Sequence, residues 1–103
     1  MYLRVDTTAK TMALVDPDNT EEFHLEVQGS TDLEQIDETV ASQGAGRLVG
    51  GDAWISILWL RAHAEGKVGD DWSVRFQKML DYAGSKGWLN DDRSYVRGHI
   101  KNA

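Results

Sequence analysis

The sequence predicts an α+β fold, a small antiparallel β-sheet packed against three to four α-helices. Three observations carry that prediction. The first 28 residues hold three short runs in which apolar and polar side chains alternate, the period of half-buried strands. From Thr31 onward apolar residues recur mostly at three- and four-residue spacing, between capping residues and glycines. All four tryptophans fall between Trp54 and Trp88, and they concentrate buriable surface in that stretch. At 103 residues and 11.5 kDa, residues 1–103 read as a single α+β domain with one core.

In order along the chain, Leu3 and Val5 alternate with Tyr2, Arg4 and Asp6, and Met12 and Leu14 alternate with Ala13 and Val15. A turn follows at Asp16-Pro17-Asp18-Asn19, where proline presets φ and the short polar side chains bond back to the backbone. Next come Phe23, Leu25 and Val27 on one face, with His24 and Glu26 on the other. Three strands with short connections predict an antiparallel meander with one wet face.

Thr31-Asp32-Leu33-Glu34 fits a capping box, so a helix is expected from Thr31. Its inward stripe is Leu33, Ile36, Val40 and Ala41, and Gly44 is its stop. Gly46 to Ile55 reads as a short hairpin turning at Gly50-Gly51-Asp52, with Ser56 capping the next helix. The alternative is a helix already begun at Ala53 under an Asp52 cap.

Ile57 to Glu65 is expected to be helical and to end at Gly66. A longer helix follows, capped by Asp70 or Asp71, with Trp72, Phe76, Met79, Leu80 and Ala83 inward. Gly87 stops it, and Trp88 and Leu89 fold back on its end. Arg93 to Lys101 is expected as a last short helix with Tyr95, Val96, His99 and Ile100 inward. Gly98 inside it costs about 1 kcal/mol against alanine.

The net charge of −6 disfavours general binding to nucleic acid or anionic membranes, which repel an acidic protein. The acidity belongs to one half. Residues 1–52 carry three basic and eleven acidic side chains, a balance of −8; residues 53–103 carry eight and six, a balance of +2. There are no cysteines, which excludes disulfides, thiolate metal sites and cysteine nucleophiles and agrees with a cytoplasmic location. Neither a secretory signal nor an apolar run long enough to span a bilayer is recognisable.

No motif compels a chemistry. The stretch from Gly44 to Gly51 lacks the third glycine of a dinucleotide loop, where Val49 stands, and the lysine of a Walker loop, where Asp52 stands. The acidic turn Asp16, Asp18, Thr20, Glu22 has Glu21 where a calcium loop needs glycine and Val27 where it needs glutamate. His24, His63 and His99 do not cluster in sequence, and no serine sits in a nucleophile motif. The expectation is therefore no catalytic residue, no metal and no cofactor.

Three functional readings follow. The first is a non-catalytic cytoplasmic interaction or regulatory module, a homodimer or the partner of another protein, with Trp54, Trp59, Arg61 and His63 as contact residues. The second is weak nucleic-acid binding through the basic face of the last two helices, using Arg75, Lys78, Lys86 and Arg97; two aspartates at the start of the first of these helices oppose it. The third is a small-ligand domain or enzyme with a pocket between sheet and helices near Trp59, Arg61 and His63.

Overall fold

The computed structural model describes residues 1–102. The alternating segments form strands β1 (Tyr2–Asp6), β2 (Thr11–Val15) and β3 (His24–Gln28). The Gly50-Gly51 hairpin supplies β4 (Gly46–Val49) and β5 (Asp52–Ser56). Three helices, α1 (Leu33–Ser42), α2 (Ile57–Ala64) and α3 (Trp72–Ser85), precede a final strand β6 (Tyr95–Asn102). The result is a mixed α+β fold with one six-stranded sheet, ordered β2-β1-β3-β6-β5-β4.

Two expectations need correction. The first three strands are not a meander. β1 and β2 form an antiparallel hairpin, its turn held by the Asp6 carboxylate, which accepts from the Thr8 and Ala9 N–H groups at 3.0 Å. β3, however, lies on the other side of β1 and runs parallel to it. Alternation shows which residues share a face but not which edge a strand joins. Here the connection after β2 passes round the start of β1, where the Met1 amino group donates to the Glu22 carbonyl at 3.0 Å. That connection is also held from α3, because the Trp72 indole N–H donates to the Pro17 carbonyl at 2.7 Å.

The second correction concerns Arg93 to Lys101, which is not a helix. Tyr95–Asn102 is a strand that pairs antiparallel with β5 through its first half and parallel with β3 through its second. Val96, Gly98 and Ile100 face the core, and the alternation is hidden in the sequence because Gly98 has no side chain. A Cβ there would stand 3.0 Å from Phe23 and 3.3 Å from Leu25, so its neighbours fill that space. Tyr95 and His99, expected inward, are exposed.

The remaining elements need only local adjustment. α1 is capped by Asp32, one residue later than the box suggests, through a 2.9 Å bond from the Glu34 N–H. Ile36 and Val40 are buried as expected, whereas Leu33 and Ala41 are exposed and Thr39 is buried, its hydroxyl donating to the Gln35 carbonyl. Ser56 caps α2, its Oγ accepting from the Trp59 N–H at 3.1 Å. Asp71 stands at the α3 cap position but makes no side-chain cap bond; its carboxylate accepts from Arg75 instead.

The core lies on one face of the sheet. Leu3 is level with Leu25 and Val5 with Val27 across the β1–β3 register, and Ile55 is level with Val96 across β5 and β6. These side chains, with Ile36 and Val40 of α1, Leu60 of α2 and Phe76 and Leu80 of α3, form one buried apolar cluster. All three helices therefore cover the same face of the sheet. Among the described residues no helix is long and apolar enough to cross a membrane.

Three carboxyl groups, Asp37, Asp71 and Asp92, are held below the usual carboxylate range by their donors. Asp37 accepts from the Arg47 guanidinium and from the Leu48 N–H, and Arg47 holds its carboxyl below the usual carboxylate range. Arg75 does the same to Asp71, and the Ser94 hydroxyl and N–H to Asp92. A carboxyl whose pKa is lower folded than unfolded adds stability above the unfolded value and loses it as pH falls through the folded one. The thermal midpoint should therefore hold from neutral pH to about pH 5 and fall between about pH 4 and pH 2. Changing Asp37 to Asn should flatten that fall, a comparison that calorimetry across the pH series would make.

Candidate interaction surface

Because the helices cover one face, the residues of opposite parity stand on a face with no helix over it. Across the middle of the sheet these are Tyr2 and Arg4 of β1, His24 and Glu26 of β3, and Arg97, His99 and Lys101 of β6. None of them is buried. Tyr2 and His24 stack with centroids 5.1 Å apart and planes at 8°, Arg4 donates to the Tyr2 hydroxyl at 3.0 Å, and His24 lies 3.4 Å from the Glu26 carboxylate. The face is ordered by its own contacts, and its charges are of both signs.

Its most apolar part lies at the β4–β5–β6 end. Trp54 sits between Arg47 and Arg97 in the strand register and lines a wide, open hollow of about 420 Å³ with Val49, Tyr95, Arg47 and Asn90. Tyr95 also borders a second open hollow, where Leu58 stands in the first turn of α2 beside Arg61 and Arg93. Val49 is 64% exposed, Leu58 77% and Tyr95 38%. Three of the chain's exposed large apolar side chains thus join the half-buried Trp54 in one strip. The strip has a local cause: Ala53 and Ile55 alternate into the core, which sends Trp54 outward, and the Ser56 cap starts α2 so that Leu58 points away from the sheet.

Among the described residues no carboxylate lines either hollow. The cations at the rim are mostly matched already. Arg47 is held by Asp37 at 3.1 Å, and Arg93 lies 3.7 Å from Asp81. Asp37 has a further effect, because the bond it accepts from the Leu48 N–H at 2.8 Å occupies a donor of β4, an edge strand of the sheet. Covering an edge in this way discourages strand-to-strand addition there. Access to this end of the molecule is through the face and not the edge.

The contact residues expected from the sequence are separated by the fold. Trp54 is on the open strip. Trp59 is half-buried against the core and stacks on His63 with centroids 3.7 Å apart, and the His63 Nδ1 lies 2.9 Å from the Trp59 carbonyl. Arg61 lies over the Phe76 ring at 4.8 Å and donates to Gln77. These three side chains are engaged within the molecule, and the signals that pick out the strip instead are Val49, Leu58 and Tyr95. No property of Leu58 or Tyr95 in the sequence marks them as outward; Leu58 lies in an apolar run and Tyr95 in a segment read as helix.

The four cations assigned to nucleic acid do not share two helices. Arg75 and Lys78 belong to α3 and Lys86 to its end, while Arg97 stands on β6, 3.8 Å from Asp52. Arg75 is engaged by Asp18 at 2.6 Å and by Asp71 at 3.1 Å. Among the described residues no group of three histidine, aspartate or glutamate side chains is placed to hold a metal ion.

Fold and surface together define a small α+β protein whose single sheet is helix-covered on one side and open on the other. Comparison with protein-family models, with curated proteins and with solved structures finds no match.

Proposed function

We propose that the chain is a non-catalytic cytoplasmic interaction module that self-associates, two copies meeting through the strip of Val49, Trp54, Leu58 and Tyr95. The observation that carries this reading is the strip itself, a contiguous apolar surface left open beside an otherwise complete core. Aromatic side chains surrounded by a polar rim are the usual composition of an interface centre. A second copy is the favoured occupant for an electrostatic reason. A chain of charge −6 repels its own kind over most of its surface, and among the described residues no carboxylate lines these two hollows. With Arg47 and Arg93 matched by Asp37 and Asp81, and Arg61 drawn over the Phe76 ring, two strips related by a two-fold axis bring apolar surface together with two of the three rim cations on each already paired.

Leu58→Glu separates this reading from a merely structural role. Leu58 is 77% exposed, and α2 has no acidic residue in its first turn, where a carboxylate suits the helix dipole. The variant should keep or slightly raise the thermal midpoint while weakening the dimer by about 2 kcal/mol or more. Sedimentation equilibrium on both proteins is the test. A wild-type chain that stays monomeric up to about 1 mM, where association is worth only about 4 kcal/mol, overturns the proposal.

A further inference from the structure

A third concavity lies where β6 changes neighbours. The first half of β6 runs beside Trp88 and Leu89, with the Arg97 N–H donating to the Trp88 carbonyl at 2.8 Å and Leu89 bridging to Val96. Its second half pairs with β3. Between these two neighbours, bordered by Met79, Tyr82 and Ala83 in the C-terminal half of α3, is a cleft of about 290 Å³ at the rim of the open face, more enclosed than the hollows of the strip. Its volume is at the small end of ligand sites, enough for a headgroup or a small molecule.

The walls are aromatic and set at steep angles. Trp88 is flanked by Tyr82, centroids 5.9 Å apart and planes at 70°, and by His99 at 6.4 Å and 72°. Phe23 lines the cleft as well, as do Glu21 and Glu22, both exposed. Rings inclined in this way turn faces and edges toward a shared space, and ring faces attract cations, most strongly the large and weakly hydrated ones. Tyr82 already draws one cation, the Lys86 ammonium at 5.5 Å from its ring. Arg97 also borders the cleft, but its guanidinium lies 3.8 Å from the Asp52 carboxylate of β5.

We infer that this cleft binds a quaternary ammonium group, the rings of Phe23, Tyr82, Trp88 and His99 enclosing its methyls and Glu21 and Glu22 balancing its charge. The inference is independent of the self-association strip. Apolar contact and positive charge are both favoured by this arrangement, and that combination distinguishes it from a purely apolar cleft. An inorganic cation would lose hydration that these walls cannot replace, and a neutral apolar molecule would gain nothing from the two carboxylates.

The test is an NMR titration of the Trp88 indole N–H with choline, with the neutral isostere in which a tert-butyl group replaces trimethylammonium, and with a trimethyllysine peptide. Choline should shift that resonance saturably, and the isostere should bind at least about fivefold more weakly. Tyr82→Leu and the double variant Glu21→Gln, Glu22→Gln alter exposed side chains and should each weaken choline by about fivefold or more. Tighter binding of the peptide than of choline would assign the group to a modified protein; equal or weaker binding would assign it to a free metabolite. Equal affinity for choline and its isostere, or no saturable shift of Trp88, overturns the inference.

Discussion

Replacing Phe76 by alanine is expected to destabilise the protein by about 4 kcal/mol, within the range for removing a buried phenylalanine. Phe76 is the largest fully buried side chain, at 0% exposure. Trp72 stacks on its ring with centroids 4.6 Å apart and planes at 10°, and the Arg61 guanidinium lies 4.8 Å from its centroid. Deleting the ring removes its transfer energy and also leaves a cavity between α2 and α3. Neither neighbour can close it freely, since Trp72 is held by the Pro17 carbonyl and Arg61 by Gln77. For a domain of this size the thermal midpoint should fall by about 20 °C. Urea unfolding measures the effect directly, and a loss below about 1.5 kcal/mol would contradict the packing described.

A comparable loss is expected from a single methyl group at Gly46. Its φ is +153°, and a Cβ would lie 1.9 Å from the Trp54 carbonyl oxygen and 3.1 Å from the Ile55 Cα. Both obstacles are backbone atoms of β5, so no side-chain rotation relieves the clash, and β4 must part from β5. Gly46→Ala should cost about 4 kcal/mol, the size of effect reserved for strain of this kind. Gly51 supplies the control, two strands' ends away in the same hairpin, with open space where its Cβ would stand and no positive φ. Gly51→Ala should stay within about 0.5 kcal/mol of wild type. Equal stability of the two variants in the same unfolding experiment would refute the strand contact.

Gly50 and Gly51 act within their own turn, whereas Gly46 is fixed by a contact with another strand that no local pattern encodes. Periodicity and caps located α2, α3 and the hairpin, because Ser56, the Trp72-Phe76-Leu80 stripe and Gly50-Gly51 act within a few residues of one another. Strand order was out of reach, since the same alternation in β3 serves a meander or a parallel neighbour of β1. β6 was misread for a tertiary reason: Gly98 yields its side-chain space to Phe23 and Leu25, which removes one beat of a period-two pattern. That error also turned Tyr95 and His99 inward. As a result the sequence offers Trp54 as a candidate contact, but neither its neighbour on the strip, Tyr95, nor the His99 wall of the aromatic cleft.

Asp37 illustrates the same limit from another direction. In the sequence it is one of several acidic residues on the outer side of α1. In the fold it accepts from Arg47 and from the Leu48 N–H, joining helix to edge strand and leaving the strip as the open approach at that end. Its role depends on a contact across 11 residues of chain that no local rule encodes.

The most direct measurement of self-association through the strip is an isotope-filtered NOE experiment on a sample mixed from labelled and unlabelled chains. Only contacts between copies give signals in it. The account predicts intermolecular cross-peaks among Val49, Trp54, Leu58 and Tyr95, and their disappearance in Leu58→Glu. Cross-peaks confined to the outer surfaces of the helices, or none at concentrations of about 1 mM, would contradict it.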